Sequence, residues 1–268
     1  MQLADLTSSR ELLWNLTLRE LRGKYKRSAL GWAWSMLNPL ATMIIYTFVF
    51  GLVLGGKVPV AMANGRHIFA FYLLCGLLPW NFLSQATTTA MSSLLANGGL
   101  VKKVWFPREV LVFATSGSFL FGFAIEASLL CVALIIAGNM VLPWLPVVLL
   151  LMILLATFAT GIALVLAALN VYFRDLGYLW SIFAQLWFFG TPIVYPSSYV
   201  AQKVSPRVLR LYEANPMAVF VRSFRDVLYE LRWPTLTQFA YLIALAAGSM
   251  TVGLWAFARL SPRFAEEL

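Results

Sequence analysis

Six stretches of roughly twenty residues carry almost no charge, at about 33–55, 68–91, 110–137, 143–169, 177–195 and 236–258. A helix needs about 20 apolar residues to cross the hydrocarbon of a bilayer. Six membrane spans are therefore predicted, in an all-α integral membrane fold. Only 12% of the 268 residues are charged, where soluble domains carry about a quarter. The net charge of +9 is read as basic flanks that orient spans, not as a nucleic-acid surface. The first 28 residues are charged and lack an apolar core. No signal peptide is expected, and the first span directs insertion.

Arg10, Arg19, Arg22, Lys24, Lys26 and Arg27 precede the first span and place the N-terminus in the cytoplasm. Alternation puts Lys102, Lys103, Arg108 and Arg174 on the same side, with Arg259 and Arg263 at the cytoplasmic C-terminal end. Residues 8–28 read as a helix lying in the cytoplasmic interface. Ser8 to Glu11 form a capping box, and Trp14, Leu18, Leu21 and Tyr25 form the apolar stripe. Gly31 then permits a turn, Trp32 and Trp34 anchor the headgroup level, and Asn38-Pro39 loosens the first span.

Residues 196–235 fall outside by alternation, yet hold Lys203, Arg207, Arg210, Arg222, Arg225 and Arg232. Ser205-Pro206 and Asn215-Pro216 are N-cap and N1 pairs, so two helices are predicted. The second carries a stripe of Phe220, Phe224, Val227 and Leu231 and an Arg222–Asp226 pair. Both are too short or too charged to span, and are read as re-entrant or interfacial helices at the outer face.

Several signals carry no chemistry. "GLVLGGKV" at Gly51–Val58 approaches a phosphate loop but ends in Val where a metal-binding hydroxyl is needed. Cys75 and Cys131 lie in apolar runs, His67 lies in a loop, and no metal-ligand spacing occurs, so no metal site is expected. Glu126 continues a ridge of small residues, Ala114, Ser118 and Gly122, and is expected to face protein or an aqueous cavity. In the fifth span Trp180, Phe183 and Trp187 share a face. That face suits lipid contact, or a pore wall on which sugar rings stack.

Five ordered stretches, "KYKRSALGWAWSMLNPL", "LVKKVWFPREVL", "NVYFRDLGYL", "TPIVYP" and "NPMAVFVRSFRDVL", carry a resemblance across nearly the whole chain. The chain resembles the membrane subunit of ABC-2 type polysaccharide exporters, the group that moves O-antigen, capsule, teichoic acid and galactan precursors. The resemblance implies a type V exporter fold and a homodimer. It also implies two separate ABC ATPase subunits, which carry ATP and Mg while this chain holds no cofactor and is no enzyme. Residues 97–109 would be a coupling helix, with Val104, Trp105 and Phe106 as an apolar plug. Lys102, Lys103 and Arg108 would flank the plug, Pro107 would set the bend, and Arg174 and Asp175 would form a second contact. The outer helices would gate the exit. Tyr46, Phe50, Trp180, Trp187 and Phe188 would line a canal between the copies. Arg19, Arg22, Lys24, Lys26 and Arg27 stand where the anionic headgroup of a lipid-linked polysaccharide would arrive, and equally serve as a topology signal. Export of a small lipid or drug is the alternative within transport. A membrane transferase would need a carboxylate or His constellation, whereas Glu109, Glu126 and Asp175 are scattered.

Overall fold

The computed structural model describes residues 10–24, 33–46, 48–49, 62–104, 106–195, 200 and 205–267, with no strand among them. The expectations for Ser8, Tyr25, Lys26, Arg27, Gly31, Trp32, Phe50, Gly51–Val58, Trp105 and Lys203, and for the side chains of Lys24, Asn38 and Pro39, lie outside what is described.

The helices in chain order are α1 Arg10–Lys24, α2 Trp34–Tyr46, α3 Phe69–Met91, α4 Ser93–Ala96, α5 Gly98–Lys103 and α6 Glu109–Ile136. They continue as α7 Leu145–Tyr172, α8 Leu176–Phe189, α9 Pro206–Glu213, α10 Pro216–Leu228, α11 Leu236–Leu260 and α12 Phe264–Glu267. Among the described residues three segments are long and apolar enough to cross a membrane: Glu109–Ile136, Leu142–Tyr172 and Leu236–Arg263. α3 has 23 residues, but Asn81, Ser84, Gln85 and three threonines make it more polar. α2 and α8 have 13 and 14 residues.

α7 and α11 run side by side along most of their length. Glycines permit this approach. A Cβ on Gly161 would stand 2.4 Å from the backbone of Ser249, and one on Gly253 would stand 2.4 Å from the carbonyl oxygen of Gly161. Small residues are what lets membrane helices close to backbone contact. α3 packs on both α6 and α7, and Ala114 and Ser118 of the small-residue ridge are buried. Glu126, further along it, is half-buried and has an interaction partner.

The molecule has two ends, each with its own set of ties. At one, loop residues Asn64 and Arg66 donate to the carbonyl of Ala137 at 2.9 and 3.1 Å, and Asn139 donates to the carbonyls of Leu228 and Tyr229 at 2.8 and 3.1 Å. α6 stops there because Gly138, at φ +88°, turns left-handed. Its N–H and that of Asn139 then reach Ile135 and Leu134, a Schellman cap. At the other end Leu16, Leu94, Val101, Phe106, Val171, Phe257 and Phe264 share one core. The described parts of the loops predicted to lie outside thus meet at one end, and those of the loops predicted inside meet at the other.

Several local expectations change. α1 lies against α6 and buries Leu16 and Leu21; of the stripe expected to face the membrane interface, Trp14 is exposed, Leu18 is half-buried and Leu21 is buried. α6 offers Gly117 there, whose missing side chain faces Thr17. Ser205 precedes α9 without a side-chain cap bond. Asp226 pairs with Arg232 at 2.9 Å rather than with Arg222. Leu231 lies beyond the end of α10 at φ +50°, so it is not on the helical stripe.

Candidate functional site

α10 is the centre of the end that holds Asn64, Ala137 and Asn139. Met217 through Val221 and Ser223 through Leu228 are all buried, which makes this a helix inserted among α3, α7 and α11 rather than one lying on a surface. Asn215 caps it, accepting from the N–H of Met217 at 3.1 Å. The same side chain accepts from Trp187 Nε1 at 2.7 Å and donates to the carbonyl of Gly190 at 2.9 Å and to Thr191 Oγ1 at 3.1 Å. One N-cap residue therefore also grips the end of α8.

Arg225, ten residues further on, grips the same end. Its Nη1 and Nη2 donate to the carbonyls of Pro192 and Ile193, both at 2.6 Å, and its Nε donates to that of Tyr72 at 3.1 Å. The guanidinium lies 3.7 Å from the centroid of the Tyr72 ring, a cation–π distance. No carboxylate pairs with it among the described residues. Gly76 makes the space: a Cβ there would stand 2.9 Å from Nη2. Below α10, Arg232 is shared by Asp226 and Glu230, each at 2.9 Å. Burial holds the Glu230 carboxyl above its usual range, against the opposing pull of Arg232. Burial, and then a hydrogen bond to Tyr195, raises the Tyr212 phenol.

Sequence reasoning saw Asn215 as a cap and Arg225 as one basic residue of an outer loop. A signal for Arg225 was present. Val221 and Leu228 lie four before and three after it, so it sits on an apolar face.

α8 presents two faces. Trp180 is 8% exposed and packs with Met91 and Leu166. Trp187 and Phe188 lie 5.8 and 5.5 Å from the Trp80 ring of α3. These three expected canal residues thus turn toward helices of their own chain. Phe183 touches both tryptophans at 5.5 Å but is half-exposed. The open face holds Tyr178, Leu179, Ile182, Gln185, Leu186 and Phe189. Tyr46 is half-buried against the main core.

At the opposite end Lys102, Lys103 and Val104 are exposed, and so are Phe173, Arg174 and Asp175 between α7 and α8. Phe106 is different. It is 9% exposed, against 52% for Val104, and is held in the core of its own chain. An exposed Phe106 plug is therefore corrected to a buried one, and Pro107 is half-buried after it. Arg108 does not stand free either: its Nη1 donates to the carbonyl of Ser261 at 2.5 Å, and it faces the Phe264 ring. Arg19 bonds Asn97 Oδ1 at 2.8 Å, tying α1 to the segment before α5, while Arg22 is exposed. Among the described residues no three His, Cys, Asp or Glu side chains converge as metal ligands.

The profile of the ABC-2 type transporter family matches residues 11–229. The chain belongs to the ABC-2 type transporter family. It is similar to the O-antigen export system permease protein RfbA of Myxococcus xanthus, 35% identical over 257 residues, covering 94% of this chain and 92% of that one. A protein of the same description from Klebsiella pneumoniae is 31% identical over 261 residues, covering 96% and 95%. The polysialic acid transport protein KpsM of Escherichia coli is 31% identical over 85 residues, covering 32% of this chain and 31% of KpsM. In this ABC-2 family member the matched region runs from α1 through α10. It includes both the α9–α10 hairpin and the exposed Lys102–Val104 edge.

Proposed function

We propose that the chain is the membrane subunit of an ATP-driven exporter of lipid-linked polysaccharide in the bacterial cytoplasmic membrane. The observation that carries this reading is similarity to O-antigen permeases over more than nine-tenths of both chains. Two copies enclose the canal, and two ABC ATPase subunits, which bind ATP and Mg, dock on the cytoplasmic face. α2, α3, α6, α7, α8 and α11 serve as the six spans in a type V arrangement, with both termini inside.

A sugar polymer does not cross hydrocarbon unaided, because each unpaired hydroxyl costs about 4–8 kcal/mol to transfer from water to cyclohexane. The open face of α8 supplies what such a polymer needs. Tyr178, Phe183 and Phe189 offer rings, while Ser181 and Gln185 offer hydrogen bonds. Together with Tyr46 and Phe50 of the first span this is the proposed wall, and Trp180, Trp187 and Phe188 support it from behind. Arg22, Lys24, Lys26 and Arg27 meet the anionic headgroup. Arg19 serves α1 through Asn97. Lys102, Lys103, Val104, Arg174 and Asp175 form the ATPase contact, which the buried Phe106 and the Arg108–Ser261 tie hold in place. Nucleotide closure in the partner moves this edge and shifts the helices between canal states.

Depleting the chain tests the reading. Lipid-linked glycan is expected to accumulate in the cytoplasmic leaflet, and an ABC ATPase is expected to co-purify with the chain. Normal surface glycan, with retention of a small lipid or drug instead, would overturn it in favour of a small-molecule permease.

A further inference from the structure

We infer that Arg225 and Asn215 are positioning residues that fasten the inserted helix α10 to the end of α8, so that the outer hairpin and the end of the canal helix travel as one body. This rests on reading the hairpin as the outer gate. A gate that swings by itself would need a weak, solvated contact with its neighbours. The contact here is of the opposite kind. Asn215 holds Gly190, Thr191 and Trp187, and Arg225 holds the next two carbonyls, Pro192 and Ile193.

Those carbonyls follow the last helical turn of α8, where the chain has no helical partners for them, and Pro192 can donate no hydrogen bond of its own. The guanidinium fits because its planar fork presents several donors at fixed angles. It stays buried without a carboxylate because three carbonyls and the Tyr72 ring surround it. To separate α10 from α8 would strand both the cation and the carbonyls where water is scarce. The low-energy motion keeps the contact and moves the two elements together.

A cysteine pair tests this. The Tyr195 and Tyr212 hydroxyls meet at 3.3 Å, one on the segment after α8 and one on α9 of the hairpin, and neither residue is part of the Asn215 or Arg225 grip. Tyr195→Cys with Tyr212→Cys is made in a chain whose Cys75 and Cys131 are replaced by Ala, and is assembled with its ATPase. Cross-linking by a flexible bifunctional thiol reagent, which spans the space of the two lost rings, is then followed in the nucleotide-free and the vanadate-trapped complex, with no polysaccharide present. Equal cross-linking rates in the two states are expected. A rate about tenfold slower in either state would mean the partners part during the cycle and would overturn the inference.

Arg225→Met is expected to slow cross-linking, and Arg225→Lys to slow it less, since one ammonium reaches fewer carbonyls. If Arg225→Met does not assemble, Arg225→Lys alone gives the comparison. A rate unchanged from the parent in a folded variant would remove Arg225 from the role. The export reading is judged separately: it fails if the complex without the reagent carries no lipid-linked polysaccharide, whatever the cross-linking rates.

Discussion

Val104 and Phe106 stand two positions apart in one apolar cluster, yet one side chain is outside and the other inside. The distinction sets the right substitution for testing the ATPase contact. Val104→Asp is expected to leave the fold intact, with a thermal midpoint near the parent value, and to lower co-purification of the ATPase. Phe106→Asp is expected to destabilise the protein by about 3–5 kcal/mol, the range for emptying a buried aromatic site, read as loss of monodisperse protein in detergent. Equal stability of the two variants would contradict the burial difference. Asn215→Ala removes an N-cap and the acceptor of Trp187 Nε1 together. Loss of the cap alone costs about 1 kcal/mol. Asn215→Ala is expected to cost at least that, by comparison of unfolding midpoints with the parent.

Among the elements, α7 and α11 depend on Gly161 and Gly253, where any side chain would meet backbone rather than a flexible neighbour. Gly253→Val is expected to cost at least the about 1–3 kcal/mol typical of overpacking, because a backbone cannot turn aside as a rotamer does. Gly248, on the same helix with open space around it, is the control: Gly248→Ala is expected to leave stability unchanged or raised. α1 teaches the same lesson from the other direction. Its Leu12, Leu13 and Leu16 join the core shared with α6, and Gly117 of α6 leaves room for Thr17. The exposed Trp14 belongs to the stripe expected to face the membrane interface.

Across the whole molecule the ties at each end make a topology prediction. Single cysteines at Asn64 and Trp233 are expected to react with an impermeant reagent from outside, and those at Lys103 and Arg174 only after the membrane is opened. Labelling of Asn64 and Trp233 from opposite sides would contradict an end built from the Asn64, Ala137, Asn139 and Tyr229 contacts. The sequence by itself determined the positions of the long helices, the caps at Asn215-Pro216 and the grouping of basic residues, because hydropathy, capping and charge are local properties. It also carried the family, through five motifs in order. Tertiary structure alone decided that Arg225 is solvated by the carbonyls of Tyr72, Pro192 and Ile193, that Trp180 turns inward, and that Arg108 serves the tail. The physical reason is that a buried polar or aromatic group is defined by what surrounds it. For Arg225 those surroundings come from residues 32 to 153 positions away.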